Sequence, residues 1–157
     1  MSQVYSFRTI QQIPVTLEEA WSFFSKPENL SEITPKGLDF KIKSLYHGEQ
    51  MYPGQIISYK VKPLAGIPIY WMTEITHVES RKYFVDEQRF GPYVFWHHQH
   101  HFREIPGGVE MTDIVHYKIP LGYLGDIANA LFVRATLKKI FDYRHEAVAQ
   151  RFGDFKQ

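Results

Sequence analysis

The residues most able to do chemistry sit close together between positions 96 and 117. Trp96, His98, His100 and Phe102 alternate with His97, Gln99, His101 and Arg103. Side chains alternate across a strand, so each group of four shares one face. Large apolar residues bracket His98 and His100, whereas the other group is wholly polar. The even positions are therefore expected to face a core and the odd ones solvent. Further on, Asp113 stands in a row with Met111, Val115 and Tyr117. Between the two segments, Pro106-Gly107-Gly108 signals a hairpin. A Gly107-Gly108 turn would set Phe102 opposite Asp113, and a longer loop would set His100 there. Either register leaves Asp113 on the histidine face. Phe84, Asp86, Gln88 and Phe90 repeat the pattern of polar residues inside an apolar frame.

An inward carboxylate cannot stay ionised without a partner. His98, His100 and Arg134 are the partners at hand, and Arg144 lies on the same broad face of its helix. Such a group could knit sheet to helix, or hold the polar end of an apolar ligand. Because imidazoles titrate near neutral pH, His98 or His100 with Asp113 could also act as a general acid–base pair. Histidines two apart on a strand project about 6.5–7 Å from one another, with Asp113 as a conceivable third ligand to an ion. No His-Glu-x-x-His and no cysteine reinforces that idea. Neither a metal nor another cofactor is expected.

These side chains need elements to hold them. Residues 4–13 read as a strand ended by Pro14. Thr16 and Glu19 have capping-box spacing ahead of a short helix through Trp21, Phe23 and Phe24, read as core. A second helical turn is expected over residues 27–33 and a bend at Pro35-Lys36-Gly37. Strands follow over residues 38–45, 56–62, 69–77, 83–90, 94–105 and 109–119. Residues 47–54 form a turn-rich connector. Residues 63–68 form an apolar loop that could close over a cavity or fold back into the core. From Asp126 to about Phe152 there is neither Pro nor Gly. Ile127, Ala130, Leu137, Phe141, Val148 and Phe152 share one arc of that helix, with Arg134 beside it. Strands in series followed by one long helix indicate an α+β fold.

The chain has 157 residues, 44% hydrophobic and 22% charged, the composition of one globular domain spanning residues 1–157. Eighteen Lys and Arg against 17 Asp and Glu give no global attraction to nucleic acid. The absence of cysteine excludes disulfides and thiol catalysis. No secretory signal and no apolar run of about 18 residues is seen, so no membrane insertion and a cytoplasmic location are expected. Phosphate-cradling glycine motifs and the Gly-x-Ser-x-Gly elbow are absent too. Aromatics are plentiful, at 12 Phe, 10 Tyr and 3 Trp. Flat apolar bodies with polar tips suit a shaped cavity as well as a strand-rich core.

Several segments together resemble a known family. They are Tyr70-Trp71-Met72-Thr73-Glu74-Ile75, Phe84-x-Asp86-x-Gln88 leading into Gly91-Pro92-Tyr93, Trp96-x-His98-x-His100-x-Phe102, Met111-x-Asp113-x-Val115-x-Tyr117, Pro120-Leu121-Gly122, and Phe141-x-x-Arg144. The chain resembles the SRPBCC superfamily, which includes START domains, pollen-allergen-like proteins and polyketide cyclase-like proteins. Within it, these segments also resemble a bacterial group of ligand-binding proteins. The resemblance implies a helix-grip fold, with a curved antiparallel sheet of about seven strands wrapped around a long C-terminal helix. It also implies an elongated pocket for a small apolar or amphipathic molecule. Trp71, Asp86, Gln88, Trp96, His98, His100, Asp113, Tyr117, Arg134 and Phe141 are the residues expected to contact that molecule. An enzyme of cyclase or dehydratase type, using His98, His100 and Asp113, is the first alternative. A protein-interaction module is the second, and an internal void below about 300 Å³ would favour it.

Overall fold

The computed structural model describes residues 3–44, 50–64 and 67–156. Strand β1 (Tyr5–Ile13) is followed by helix α1 (Leu17–Phe24) and by 3-10 turns at Pro27–Ile33 and Lys36–Leu38. Then come β2 (Lys41–Ile42), β3 (Gln55–Leu64), β4 (Ile67–Glu79), β5 (Tyr83–Phe90), β6 (Phe95–Ile105) and β7 (Gly108–Lys118). The chain ends in α2 (Gly122–Ala128), a π turn (Asn129–Val133) and α3 (Arg134–Phe152). All seven strands form one antiparallel sheet in the order β1-β7-β6-β5-β4-β3-β2. Every neighbour but one is the next strand in sequence. The exception brings β1 beside β7, so that the first strand completes the wall built by the hairpins.

Local rules account for the elements. Thr16 caps α1 through the backbone of Glu19, whose carboxylate accepts the Thr16 N–H in return at 2.9 Å. The β6–β7 hairpin turns on Pro106 and Gly107, with Ile105 paired to Gly108. Gly107 has φ +86°, a backbone region open to glycine. At Gly108 an added Cβ would lie 2.1 Å from the Ile13 carbonyl oxygen, which lets β1 end close against the turn. The resulting register puts His100 opposite Asp113, the arrangement expected of a longer loop, yet the turn is only two residues.

Burial in β7 alternates without interruption, so Val109, Met111, Asp113, Val115 and Tyr117 all face inward. Above them lies α3, with Phe141 against Phe7 at 5.0 Å between ring centroids and His145 bonded to Thr9 at 3.1 Å. Helix α1 fills the other end. Trp21 meets Phe84 and Phe102 edge-on, and Phe23 meets Phe152.

Three expectations change. The segment 63–68 is mostly hairpin, because β3 reaches Leu64 and pairs it with Ile67. A register shift between Val61 and Leu64 takes up Pro63, which has no N–H for a ladder. No free loop remains there to act as a lid, apart from residues 65 and 66, which lie outside the described residues. The strand expected over residues 38–45 is reduced to β2, and residues 45–49 of it and of the following connector also lie outside the described residues. Finally, the terminal helix begins earlier than expected and is broken by the π turn. A π turn inserts extra backbone and shifts the helical phase. Leu137, Phe141 and Val148 are buried as expected, but Ile127 and Ala130 are exposed, along with Leu124, Leu131 and Phe132. Among the described residues no helix is long and apolar enough to cross a membrane.

Candidate functional site

Between the sheet and α3 lies a cavity of about 220 Å³. Its apolar wall includes Phe24, Trp71, Trp96, Leu137 and Phe141, and it reaches the surface at Lys26. Trp71 and Trp96 meet edge-to-face at 5.3 Å, and Tyr59 stacks on Trp71 at 5.9 Å. The volume lies below the roughly 300 Å³ set above, which on that criterion favours the protein-interaction module. It exceeds the roughly 150 Å³ of an engineered apolar cavity that takes up benzene. The core is thus not filled, and the space is compact.

One stretch of wall is ionic. Strand parity turns His98 and His100 inward, with 6% and 5% of their surfaces exposed, and pairing across β5–β6 sets Asp86 opposite His98. Asp86, His98, His100 and Arg144 line the cavity, while Asp113 lies behind the two imidazoles. His98 Nε2 is 2.9 Å from Asp113 Oδ1, and His100 Nε2 is 2.7 Å from Asp86 Oδ2. The remaining ring nitrogens complete the square, with His98 Nδ1 3.4 Å from Asp86 Oδ2 and His100 Nδ1 3.0 Å from Asp113 Oδ1. That last contact is close but off line, so His100 Nδ1 is a buried polar atom without a hydrogen bond. Arg144 Nη1 approaches Asp113 at 3.6 Å, and its guanidinium lies over Phe24 and Phe141. Phe84 stacks on His100 at 4.1 Å.

The electrostatics follow from this arrangement. Burial alone would raise the Asp113 pKa, but the Arg144 charge and the bonds to both imidazoles hold it well below the usual carboxylate range. Burial opposes Asp86 in the same way, and His98 and His100 bring it below its ordinary value. Burial and the neighbouring His100 charge lower His98. His100 is raised in spite of burial, because Asp113 and Asp86 both favour its charged form. The two buried carboxylates thus face the Arg144 guanidinium and an imidazole whose charged form they favour, so neither is left without a positive partner.

Of the expected contact residues, Trp71, Asp86, Trp96, His98, His100 and Phe141 line the cavity. Gln88 does not; its amide donates to the Tyr93 carbonyl at 2.6 Å and accepts from the Tyr93 N–H at 3.1 Å, clamping the Gly91-Pro92 turn. Tyr117 is buried beneath, its hydroxyl donating to Asn129 Oδ1 at 2.8 Å. Arg134 is exposed. It stands at the first turn of α3, where its charge acts on the Tyr117 hydroxyl. A helical wheel gives direction and not depth. Arg144 holds the place expected of Arg134, and its position between Phe141 and Val148 was the available signal.

No protein-family model matches the sequence, and no curated protein is detectably similar to it. Solved structures are. A protein of Chromobacterium violaceum shares 14% identity at TM-score 0.70, over 96% of this chain and 99% of its own. The major latex-like protein 151 of Panax ginseng shares 10% at TM-score 0.69, over 95% and 97% of the two chains. Ara h 8.0201 shares 14% at TM-score 0.66, over 96% and 98%. The chain therefore has the helix-grip fold implied by its resemblance to the SRPBCC superfamily.

Proposed function

We propose that the protein binds a compact, largely apolar molecule of one or two rings between the sheet and α3. The observation that carries this reading is a cavity with aromatic walls and a single ionic stretch, Asp86, His98, His100 and Arg144. Apolar burial would supply most of the affinity, at about 25 cal/mol per Å². The ionic stretch would orient a hydroxyl or carbonyl group. Asp113 acts from behind, fixing the imidazoles that the ligand touches. The compact volume argues against the elongated pocket that the resemblance implies, and for a small ligand.

Calorimetric titration with 2-naphthol tests the reading. Wild type should bind one equivalent. Thr136→Trp, which places an indole on the cavity wall, should abolish binding while unfolding within a few degrees of wild type. Absence of saturable binding by wild type, or unchanged binding by Thr136→Trp, would count against the proposal. The cyclase or dehydratase reading, which named His98, His100 and Asp113, retains one support, that His98 and His100 face the cavity; Asp113 lies behind them, and Asp86 is the carboxylate within reach of a substrate. It requires His100→Ala to abolish turnover of a substrate whose affinity is unchanged.

A further inference from the structure

The geometry points to a divalent transition-metal site formed by Asp86, His98 and His100, open toward the cavity and braced from behind by Asp113, which Arg144 in turn faces. It concerns the residues proposed above as the polar end of the ligand site, and its test needs no organic ligand.

Two imidazoles and one carboxylate offer donor atoms that lie within 4.8 Å of one another. Asp86 Oδ2 is 2.7 Å from His100 Nε2 and 3.4 Å from His98 Nδ1. Ligands about 2.1 Å from a shared ion stand roughly 3.0–3.4 Å apart in octahedral or tetrahedral geometry, so these spacings need little adjustment. Two neutral nitrogens and one oxygen suit zinc, cobalt, nickel or ferrous iron rather than calcium or magnesium.

Asp113 supplies the second, independent observation. Metal-bound histidines almost always direct their other ring nitrogen at a carboxylate or carbonyl, which fixes the tautomer. Here one oxygen, Asp113 Oδ1, faces that nitrogen on both rings: His98 Nε2 at 2.9 Å and His100 Nδ1 at 3.0 Å. With hydrogens on those atoms, the lone pairs of His98 Nδ1 and His100 Nε2 both turn toward Asp86 Oδ2. Three electron-rich atoms then converge on a position that a cation would fill; in the metal-free protein a proton on His100 Nε2, hydrogen-bonded to Asp86 Oδ2 at 2.7 Å, fills it and would leave as the metal binds. His100 Nδ1, buried and off line from Asp113, is the atom left unsatisfied. A small ring rotation onto a metal would bring its N–H into line. Arg144, 3.6 Å from Asp113, anchors the brace. The three ligands line the cavity and Asp113 does not, so the open coordination positions face the space where a small molecule would sit. The sequence pointed elsewhere, because Asp113 lies opposite His100 and was the natural third ligand. The fold places Asp113 behind the rings and brings Asp86 forward.

The test is titration of chelator-treated, dialysed full-length protein with Co2+ and with Zn2+. Wild type should give a one-site isotherm, with a Co2+ visible spectrum of low-symmetry nitrogen and oxygen ligation. In the folded state, Co2+ should broaden amide resonances around residues 86, 98 and 100 first. His98→Ala, His100→Ala and Asp86→Asn should each lose saturable binding. Asp113→Asn should weaken it about 10–100-fold, as loss of a supporting carboxylate does. His101→Ala, on the opposite face of the same strand, should bind as wild type does. Absence of saturable binding by wild type at millimolar metal would overturn the inference, and so would broadening centred elsewhere. The wild-type broadening map decides the matter even if a variant fails to fold. If metal fails while 2-naphthol still binds, the site fails alone; if 2-naphthol fails and metal binds, the ligand reading fails alone.

Discussion

Replacing Arg144 by methionine keeps the stem that packs on Phe24 and Phe141 and removes the charge facing Asp113. The cluster then keeps its two carboxylates and loses its guanidinium, and Asp113, 3% exposed, is left without that charge in a buried setting. Removing one partner of a buried ion pair costs about 3–5 kcal/mol. For a chain of this length each kcal/mol shifts the melting temperature by about 2–4 °C, so Arg144→Met should melt about 6–20 °C lower. Asp113→Asn should be destabilised as well, since both imidazoles and Arg144 lose a charged acceptor. The double variant should be more stable than the sum of the single losses predicts, by a coupling of about 1–3 kcal/mol. Urea unfolding of all four proteins at pH 7, followed by tryptophan fluorescence and circular dichroism, gives the cycle. If Arg144→Met costs under 1 kcal/mol, or the two losses add, the buried charge balance is wrong.

Three further outcomes are expected. Asp39 sits between Lys41 and Lys62, at 3.0 and 2.8 Å, and bonds to Lys62 and then Lys41 lower its carboxyl to about 2. A depressed carboxyl contributes stability that is complete above its usual pKa and lost as pH falls through the folded value. Wild type should therefore lose stability relative to Asp39→Asn as pH drops from about 4 toward about 2, in acid unfolding curves. Gly108→Ala would set a methyl against the Ile13 carbonyl and should cost about 1–3 kcal/mol in urea unfolding. Thr16→Ala removes the α1 cap and should cost about 1 kcal/mol by the same measurement, with Thr16→Ser close to wild type.

Strand parity carried most of what the sequence could say. The run Trp96-x-His98-x-His100-x-Phe102 is apolar at both ends, and a one-residue slip would have buried His97 and Arg103. The inward face was therefore fixed by the burial of Trp96 and Phe102. The hairpin register stays between two values in the sequence because the segment reads as a Gly107-Gly108 turn or as a four-residue loop; the fold turns instead on Pro106-Gly107. The close approach of Ile13 to Gly108 is a contact across the sheet, invisible in local sequence. The exchange of Arg134 for Arg144 has a similar origin. Arg144 is buried and faces Asp113, whereas Arg134, in the first turn of α3, is exposed, a difference of depth that a helical wheel does not carry. Gln88 looked like a ligand contact from its apolar neighbours. Its role as a clamp depends on Tyr93, which the Gly91-Pro92 turn folds back on it.

The cavity between the sheet and α3 is tested most directly by nuclear Overhauser contacts in a saturated complex with 2-naphthol. The ring protons should show contacts to Trp71, Trp96, Leu137 and Phe141, with the hydroxyl-bearing edge nearest His100. Contacts confined to exposed residues such as Tyr123 and Leu124, or none at saturation, would contradict a binding site in the grip of the helix.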